Sequence, residues 1–152
     1  MKPLSIRSHR RDYEAVFSDD AFGDLSNLLK RGDRLLVDAN VRGLYRDELA
    51  DLPRDARLLE IEPSETSKSF DGVRPILKEL IESGFKRNNR LVAMGGGVTQ
   101  DVAAFTASLL FRGVSWFFFP TNLLSQCDSC IGSKTSVNFE GYKNQLGGFY
   151  PP

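Results

Sequence analysis

A single histidine, His9, and a single pair of cysteines, Cys127 and Cys130, are all that this 152-residue sequence has of the side chains that most often ligate transition metals. A catalytic metal centre draws on several converging ligands, so a function that needs one would take part of its site from outside this chain. Excess charge of one sign is missing too. Twenty Lys and Arg balance 20 Asp and Glu, and no net field favours a nucleic acid or an anionic membrane surface as partner. Apolar runs such as "VSWFFFP" fall far short of the roughly 20 residues of a membrane span. The opening "MKPLSIRSHRRDYEAVF" has no continuous apolar segment of the kind a secretory signal requires. With two cysteines and no such signal, a reducing, cytoplasmic setting is expected.

Short apolar strands alternate with helix-period segments, which predicts an α/β fold: a mostly parallel, Rossmann-like sheet with helices on both faces. The amino-terminal "SIRSHRRDYEAVFSD" alternates enough for a strand pair. "AFGDLSNLLKRG" reads as a helix stopped by Gly32, "DRLLVDAN" as a buried strand, and "VRGLYRDELADLP" as one helix ended by Pro53. "ARLLEIEPS" is the next strand. In the helix that follows, Val73, Ile76, Leu77, Leu80 and Ile81 share one face. "RLVAMGGG" is a strand running into three glycines, "QDVAAFTASLLFRG" a nearly all-apolar and therefore buried helix, and "VSWFFFP" a buried strand. The remainder is glycine-rich and polar, with helix possible over its first ten or so residues. A length of 152 residues suits one domain, residues 1–152.

The strongest local signal is "LVAMGGGVTQDVAAF". Gly95, Gly96 and Gly97 join a strand to a helix, so bare backbone N–H groups at a helix start can approach a phosphate closely, which favours a nucleotide pyrophosphate. The spacing is not Gly-x-Gly-x-x-Gly, and a tight strand-to-helix turn reads equally well. Asp101, in the first turn, is either a carboxylate favoured by the helix dipole or an acceptor for the ligand. Asp38 and Asn40 lie just past a strand end, where open α/β sheets bind ligands. Glu65 and Lys68, three apart at a helix start, fit an ion pair at least as well as a binding role. Arg112, Asp128, Lys134, Asn138, Lys143 and Asn144 crowd the last third. They suit an anionic, polyhydroxylated ligand, or else a solvated polar loop.

The Cys127-x-x-Cys130 spacing invites a redox or zinc reading, and its surroundings argue against both. Leu123, Leu124 and Ser125 place the first thiol away from a helix start, Asp128 would raise thiol pKa values, and two further zinc ligands are missing. The pair is expected to be small, buried packing residues.

Taken in order, "GGGVTQD", "FRG", "PTNLLSQCDSCIGSKTSVN" and "GYKNQLGGFYPP" resemble the sugar-phosphate cyclases, above all the 3-dehydroquinate synthases of the shikimate pathway. The resemblance runs from about "LLVDAN" to the end. It implies that Asp38, Asn40, Glu65, Lys68, Gly95 to Gly97, Asp101 and Thr121 bind NAD. Asp128, Lys134, Lys143 and Asn144 would meet the sugar phosphate, and Arg112 would reach phosphate across a homodimer interface. The implied reaction oxidises a hydroxyl transiently, eliminates phosphate, re-reduces the ketone and closes the opened sugar by an aldol step. Asn122 stands where a second Thr is common, and "GSK" stands for "GGK". "NFEGYKNQLG" and "YPP" look more like the sedoheptulose 7-phosphate cyclases, the valiolone synthases among them. A divalent metal, zinc or cobalt, belongs in that family to an all-helical carboxyl-terminal domain, expected to be absent here, leaving residues 1–152 as an NAD-binding domain inactive alone. An iron-type alcohol dehydrogenase half and a non-catalytic nucleotide-binding module are the competing readings.

Overall fold

The computed structural model describes residues 2–53 and 57–152. At its start β1 (Leu4–Ile6) and β2 (Tyr13–Ala15) pair antiparallel, the strand pair predicted from the sequence. Helix α1 (Ala21–Leu28) begins where the Asp20 carboxylate accepts the Gly23 N–H at 2.9 Å, and the chain turns at Gly32 (φ +94°) into β3 (Arg34–Asp38). The single helix expected next is two, α2 (Ala39–Leu44) and α3 (Arg46–Ala50). Asp38 caps α2 earlier than expected, Gly43 weakens the turn, and Tyr45 leaves helical geometry with its ring stacked 5.2 Å from that of Phe22.

Strand β4 (Arg57–Ile61), helix α4 (Phe70–Glu82), strand β5 (Leu91–Gly95), helix α5 (Gly97–Leu109) and strand β6 (Trp116–Pro120) follow in βαβ fashion. The four strands are parallel in the order β4-β3-β5-β6. Alternate residues of β3 serve opposite faces. Leu35 and Val37 pack with Leu25, Val41 and Leu49 from α1 to α3, and Leu36 packs with Val73, Leu80, Val102 and Phe105 from α4 and α5. Both faces are therefore covered, as the near-continuous apolar strands require. Ile81, expected on the inner stripe of α4, is 58 % exposed, so Val73, Ile76 and Leu80 hold that face with Leu77 at its edge. Among the described residues no helix is long and apolar enough to cross a membrane.

The last third is not the open polar loop its composition suggests. After a π-helical turn (Ser125–Ser129), β7 (Lys134–Phe139) and β8 (Tyr142–Phe149) form a hairpin. Its two-residue turn, Glu140 (φ +48°) and Gly141 (φ +82°), has the doubly left-handed backbone that matches strand twist. Thr135 and Val137 are buried, on a strand that packs against α5, whereas β8 is largely exposed and offers no alternating apolar signal. The closing residues are tied down: Tyr150 Oη donates to the Val114 carbonyl at 2.9 Å, and the Trp116 indole N–H to Pro151 at 3.0 Å.

The chain leaves β3 toward β4 on one side and passes back to β5 on the other, so the strand order reverses between β3 and β5. The crevice outside their carboxyl ends is the topological switch point where open α/β sheets take ligands.

Candidate functional site at the switch point

Asp38 ends β3 and Gly95 ends β5, side by side. Asp38 is buried, and its Oδ1 accepts the N–H groups of Asn40 at 2.8 Å and Val41 at 3.4 Å, so the carboxylate is fixed as the cap of α2. The three glycines do different work. A Cβ on Gly95 would lie 2.6 Å from Thr99 Oγ1 and 2.9 Å from Asp38 Cβ, so packing demands that glycine, whereas one on Gly96 would meet only the tip of the Asn122 side chain, at 2.5 Å. At Gly97 a Cβ would meet nothing within 4 Å among the described residues. The helix behind it has Gly96 as its N-cap and no side-chain cap bond, so no side chain of the cap takes up its first-turn N–H groups at the positive end of the dipole. Thr99 Oγ1, in that turn, is buried without a hydrogen-bond partner. An uncapped helix start, room for an approaching group and an orphaned hydroxyl fit the pyrophosphate of a dinucleotide. Thr121 completes the floor, its N–H donating to the Gly95 carbonyl at 2.9 Å.

Helix α5 begins at Gly97 rather than Gln100, which places Asp101 beyond the first turn. Its partner is Lys68, Nζ 2.6 Å from Oδ2, so the local Glu65–Lys68 ion pair gives way to a tertiary one. Burial holds the Asp101 carboxyl above its ordinary range, with Lys68 pulling it back down. Glu65 faces the hairpin instead. Its Oε1 accepts from Asn138 Nδ2 at 2.8 Å and lies 3.9 Å from Lys143 Nζ; the Asn138 bond, opposed by slight burial, and then the Lys143 and Lys68 charges keep the carboxyl below its ordinary range. Asn144 is exposed in the left-handed region (φ +55°), its N–H donating to Asn138 Oδ1 at 2.9 Å. The structure thus gathers Asp38, Asn40, Gly95 to Gly97 and Thr121 at the crevice. Glu65, Lys68, Asp101, Lys143 and Asn144 form a second group along α5.

Asp128 and Lys134 stand exposed on either side of "SCIGS", and Arg112 is exposed after a left-handed kink at Phe111 (φ +51°). None of the three is drawn into either group. The cysteines are not buried fillers. Cys127 is exposed, and Cys130 is half-buried, its Sγ donating to the Gln126 carbonyl at 2.9 Å. Both lie on or beside the π-helical turn Ser125–Ser129. Burial, then Cys127 and Asp128, push the Cys130 thiol up, away from the thiolate a redox pair needs. Among the described residues no group of three or more His, Cys, Asp or Glu could hold a metal.

Sequence reasoning passed over two residues. Asn122 caps the turn, its Oδ1 accepting the Ser125 N–H at 2.9 Å, a role that the more usual Thr could also fill. Gln100, 4 % exposed on α5, donates through Nε2 to the Ser129 carbonyl at 2.5 Å and so fixes the turn that carries Asp128. A lone amide in an otherwise apolar helix was the available signal. A separate cleft of about 470 Å³ opens beside β4 between Arg42, Arg46, Leu58 and Glu60, and none of the sequence-predicted residues lines it.

A family model described as 3-dehydroquinate synthase N-terminal matches residues 58–152. This chain belongs to the 3-dehydroquinate synthase family. A 3-dehydroquinate synthase of Alkaliphilus metalliredigens is 40 % identical over 157 aligned residues, covering 100 % of this chain and 44 % of that protein. One from Streptococcus equi subsp. equi is 37 % identical, covering 98 % and 43 %. The chain therefore spans less than half the length of these synthases. Among solved structures, 2-deoxy-scyllo-inosose synthase superposes with a TM-score of 0.83 at 25 % identity, over 99 % of this chain and 45 % of its own. The 2-epi-5-epi-valiolone synthase of Streptomyces hygroscopicus subsp. jinggangensis, with NAD+ and Zn2+ bound, gives 0.82 at 31 %, over 99 % and 43 %. Both neighbours are sugar-phosphate cyclases, and the family's amino-terminal α/β architecture is the one found here.

Proposed function

We propose that residues 1–152 form the NAD-binding domain of a 3-dehydroquinate synthase-type lyase, which converts a heptulosonate phosphate to a carbocycle with loss of phosphate. The observation that carries this reading is the uncapped start of α5, bared at Gly97, at the switch point beside Asp38. NAD, when bound, would supply a reversible acceptor for the hydride on a hydroxyl-bearing carbon, whose O–H gives up a proton as the ketone forms. The Gly96 and Gly97 N–H groups would hold its pyrophosphate, and Asp38 and Asn40 with Thr121 its flanking sugars. Glu65 and the Lys68–Asp101 pair would border the cofactor along α5. Lys134 and Lys143 would hold the substrate's anionic groups, Asn144 and Asp128 its hydroxyls, and Arg112 phosphate from across a homodimer. The donors for a divalent metal, Zn2+ in the valiolone synthase structure and Co2+ in a complex of 2-deoxy-scyllo-inosose synthase, would come from the remaining length of a full synthase.

A second reading has a specific support. The valiolone synthase is 31 % identical to this chain over the aligned residues, and "NFEGYKNQLG" looks more like that branch, so a sedoheptulose 7-phosphate cyclase is the alternative. Calorimetric titration of the 152-residue chain with NAD tests the binding reading; saturable binding is expected, and none up to millimolar NAD overturns it. Phosphate release from the two sugar phosphates by a full-length relative carrying this domain decides between substrates. Release by the isolated chain with NAD and zinc would overturn its assignment as a part of the enzyme.

A further inference from the structure

Of the three chain segments that carry the second group of site residues, the Glu65–Lys68 loop and the β7–β8 hairpin meet through the side chain of Asn138 and through the Lys143–Glu65 ion pair. Asn138, which has no part in the proposed function, joins them with three of its polar groups. Its N–H donates to the Lys68 carbonyl at 2.9 Å, and a parallel bridge at this point pairs it with Ser69. Its Nδ2 donates to Glu65 Oε1 at 2.8 Å and lies 3.4 Å from the Glu65 carbonyl, and its Oδ1 accepts the Asn144 N–H.

The hairpin is irregular at this level. Val137 pairs with Leu146 and Phe139 with Tyr142, so Asn138 alone stands opposite Lys143, Asn144 and Gln145. A bulge of this kind re-aims side chains, and this one holds Asn144 in the left-handed backbone, a region asparagine enters more readily than most residues and is constrained to here. The constraint is the Asn138 carbonyl group, with Ser136 Oγ donating to Asn144 Oδ1 at 3.2 Å as a second tie. Glu65 is the shared acceptor, since Asn138 and Lys143 both address its Oε1. A ligand hydroxyl that draws on this carboxylate necessarily changes its hold on both.

We infer that Asn138 is a positioning residue that couples nucleotide occupancy at the Glu65–Lys68 loop to the placement of Lys143 and Asn144. This rests on the NAD reading above. Occupancy of the loop steadies the bulge, so the two substrate-facing side chains are set only when the cofactor is in place.

Hydrogen exchange at the Asn144 to Leu146 amides, with and without saturating NAD, tests this. In the wild-type chain NAD should slow exchange there several-fold. In Asn138→Ala the bulge should exchange faster and no longer respond to NAD, while NAD still binds. Asn138→Asp alone sets two carboxylates against each other and should also lose the response. Combined with Glu65→Gln, which weakens NAD binding because Glu65 borders the cofactor, it reverses the donor and acceptor of the same hydrogen bond at unchanged net charge, and at an NAD concentration raised until this variant is saturated the response should return. That comparison carries the test if Asn138→Ala fails to fold. A response retained in Asn138→Ala, no response in the NAD-bound wild type, or no rescue in the double variant overturns the coupling. Failure of the wild type to bind NAD overturns the cofactor reading instead. In that case unchanged exchange of the Asn144 amide between ligand-free wild type and Asn138→Ala would remove the clasp as well.

Discussion

Gly95 and Gly97 look interchangeable in the sequence, yet their surroundings set opposite expectations. Gly95→Ala drives a methyl group into Thr99 and Asp38 and should cost about 1–3 kcal/mol of stability by overpacking. Gly97→Ala meets open space at a helix start; its unfolding temperature should hold or rise, while NAD affinity falls as the methyl group occupies the room left for phosphate. Thermal unfolding beside NAD titration of the two variants checks both. Asp101 is the residue on which pH acts most clearly. Because the Asp101 carboxyl is raised in the folded state, the fold keeps a proton that the unfolded chain has released above pH 3.8, and this group subtracts stability as pH climbs through its folded value. Lys68 limits that subtraction. Lys68→Ala should therefore destabilise by about 1–3 kcal/mol at neutral pH, the cost of a buried group left unpaired, and the deficit should shrink in acid as Asp101 takes up its proton. Denaturant unfolding at pH 7 and near pH 4 measures it. Glu65 behaves in the opposite sense: with its carboxyl depressed, it adds stability above pH 4.5 that is lost as pH falls through the folded value.

At the scale of elements, the strands of the central sheet and helices α4 and α5 were legible because burial writes itself into apolar pattern. Leu35, Leu36 and Val37 are each fully buried, and only a strand covered on both faces accommodates such a run. The hairpin was not legible. Its inner face shows two buried residues, Thr135 and Val137, and its outer strand carries polar side chains that water accepts in any conformation. The break between α2 and α3 depends on Phe22, more than twenty positions away, and local propensity holds no trace of that contact. Within the candidate site, the glycine triplet, Asp38 and Asp101 could be found from position alone. The partners they take could not, since Lys68 chooses Asp101 and Glu65 chooses Asn138 through the fold. The π-turn carries its own expectation. With Cys127→Ser isolating the other thiol, Cys130 should react with a disulfide reagent at pH 8 more slowly than a free peptide thiol, because its thiolate is disfavoured. Reaction at or above the peptide rate would restore the redox reading.

Taken as a whole molecule, the 152 residues present a crevice at the switch point, a lysine-bearing hairpin and, among the described residues, no metal-binding cluster. Chelators and added zinc should both leave the melting temperature unchanged, read by scanning calorimetry; a shift of several degrees with zinc would reveal a site that the geometry does not contain. The crevice itself is shared among distant parts of the chain. Asp38, Gly95 and Thr121 meet at one point although more than eighty positions separate the first from the last, and they meet only when β3, β5 and β6 lie in register. Parallel strands joined by long crossovers are slow to find that arrangement, because each closure costs entropy before its contacts form. Recovery of NAD binding after dilution from denaturant should thus lag the return of helical signal from α4 and α5. The cofactor then acts as a timekeeper of folding, bound only once the last strand has been threaded into place.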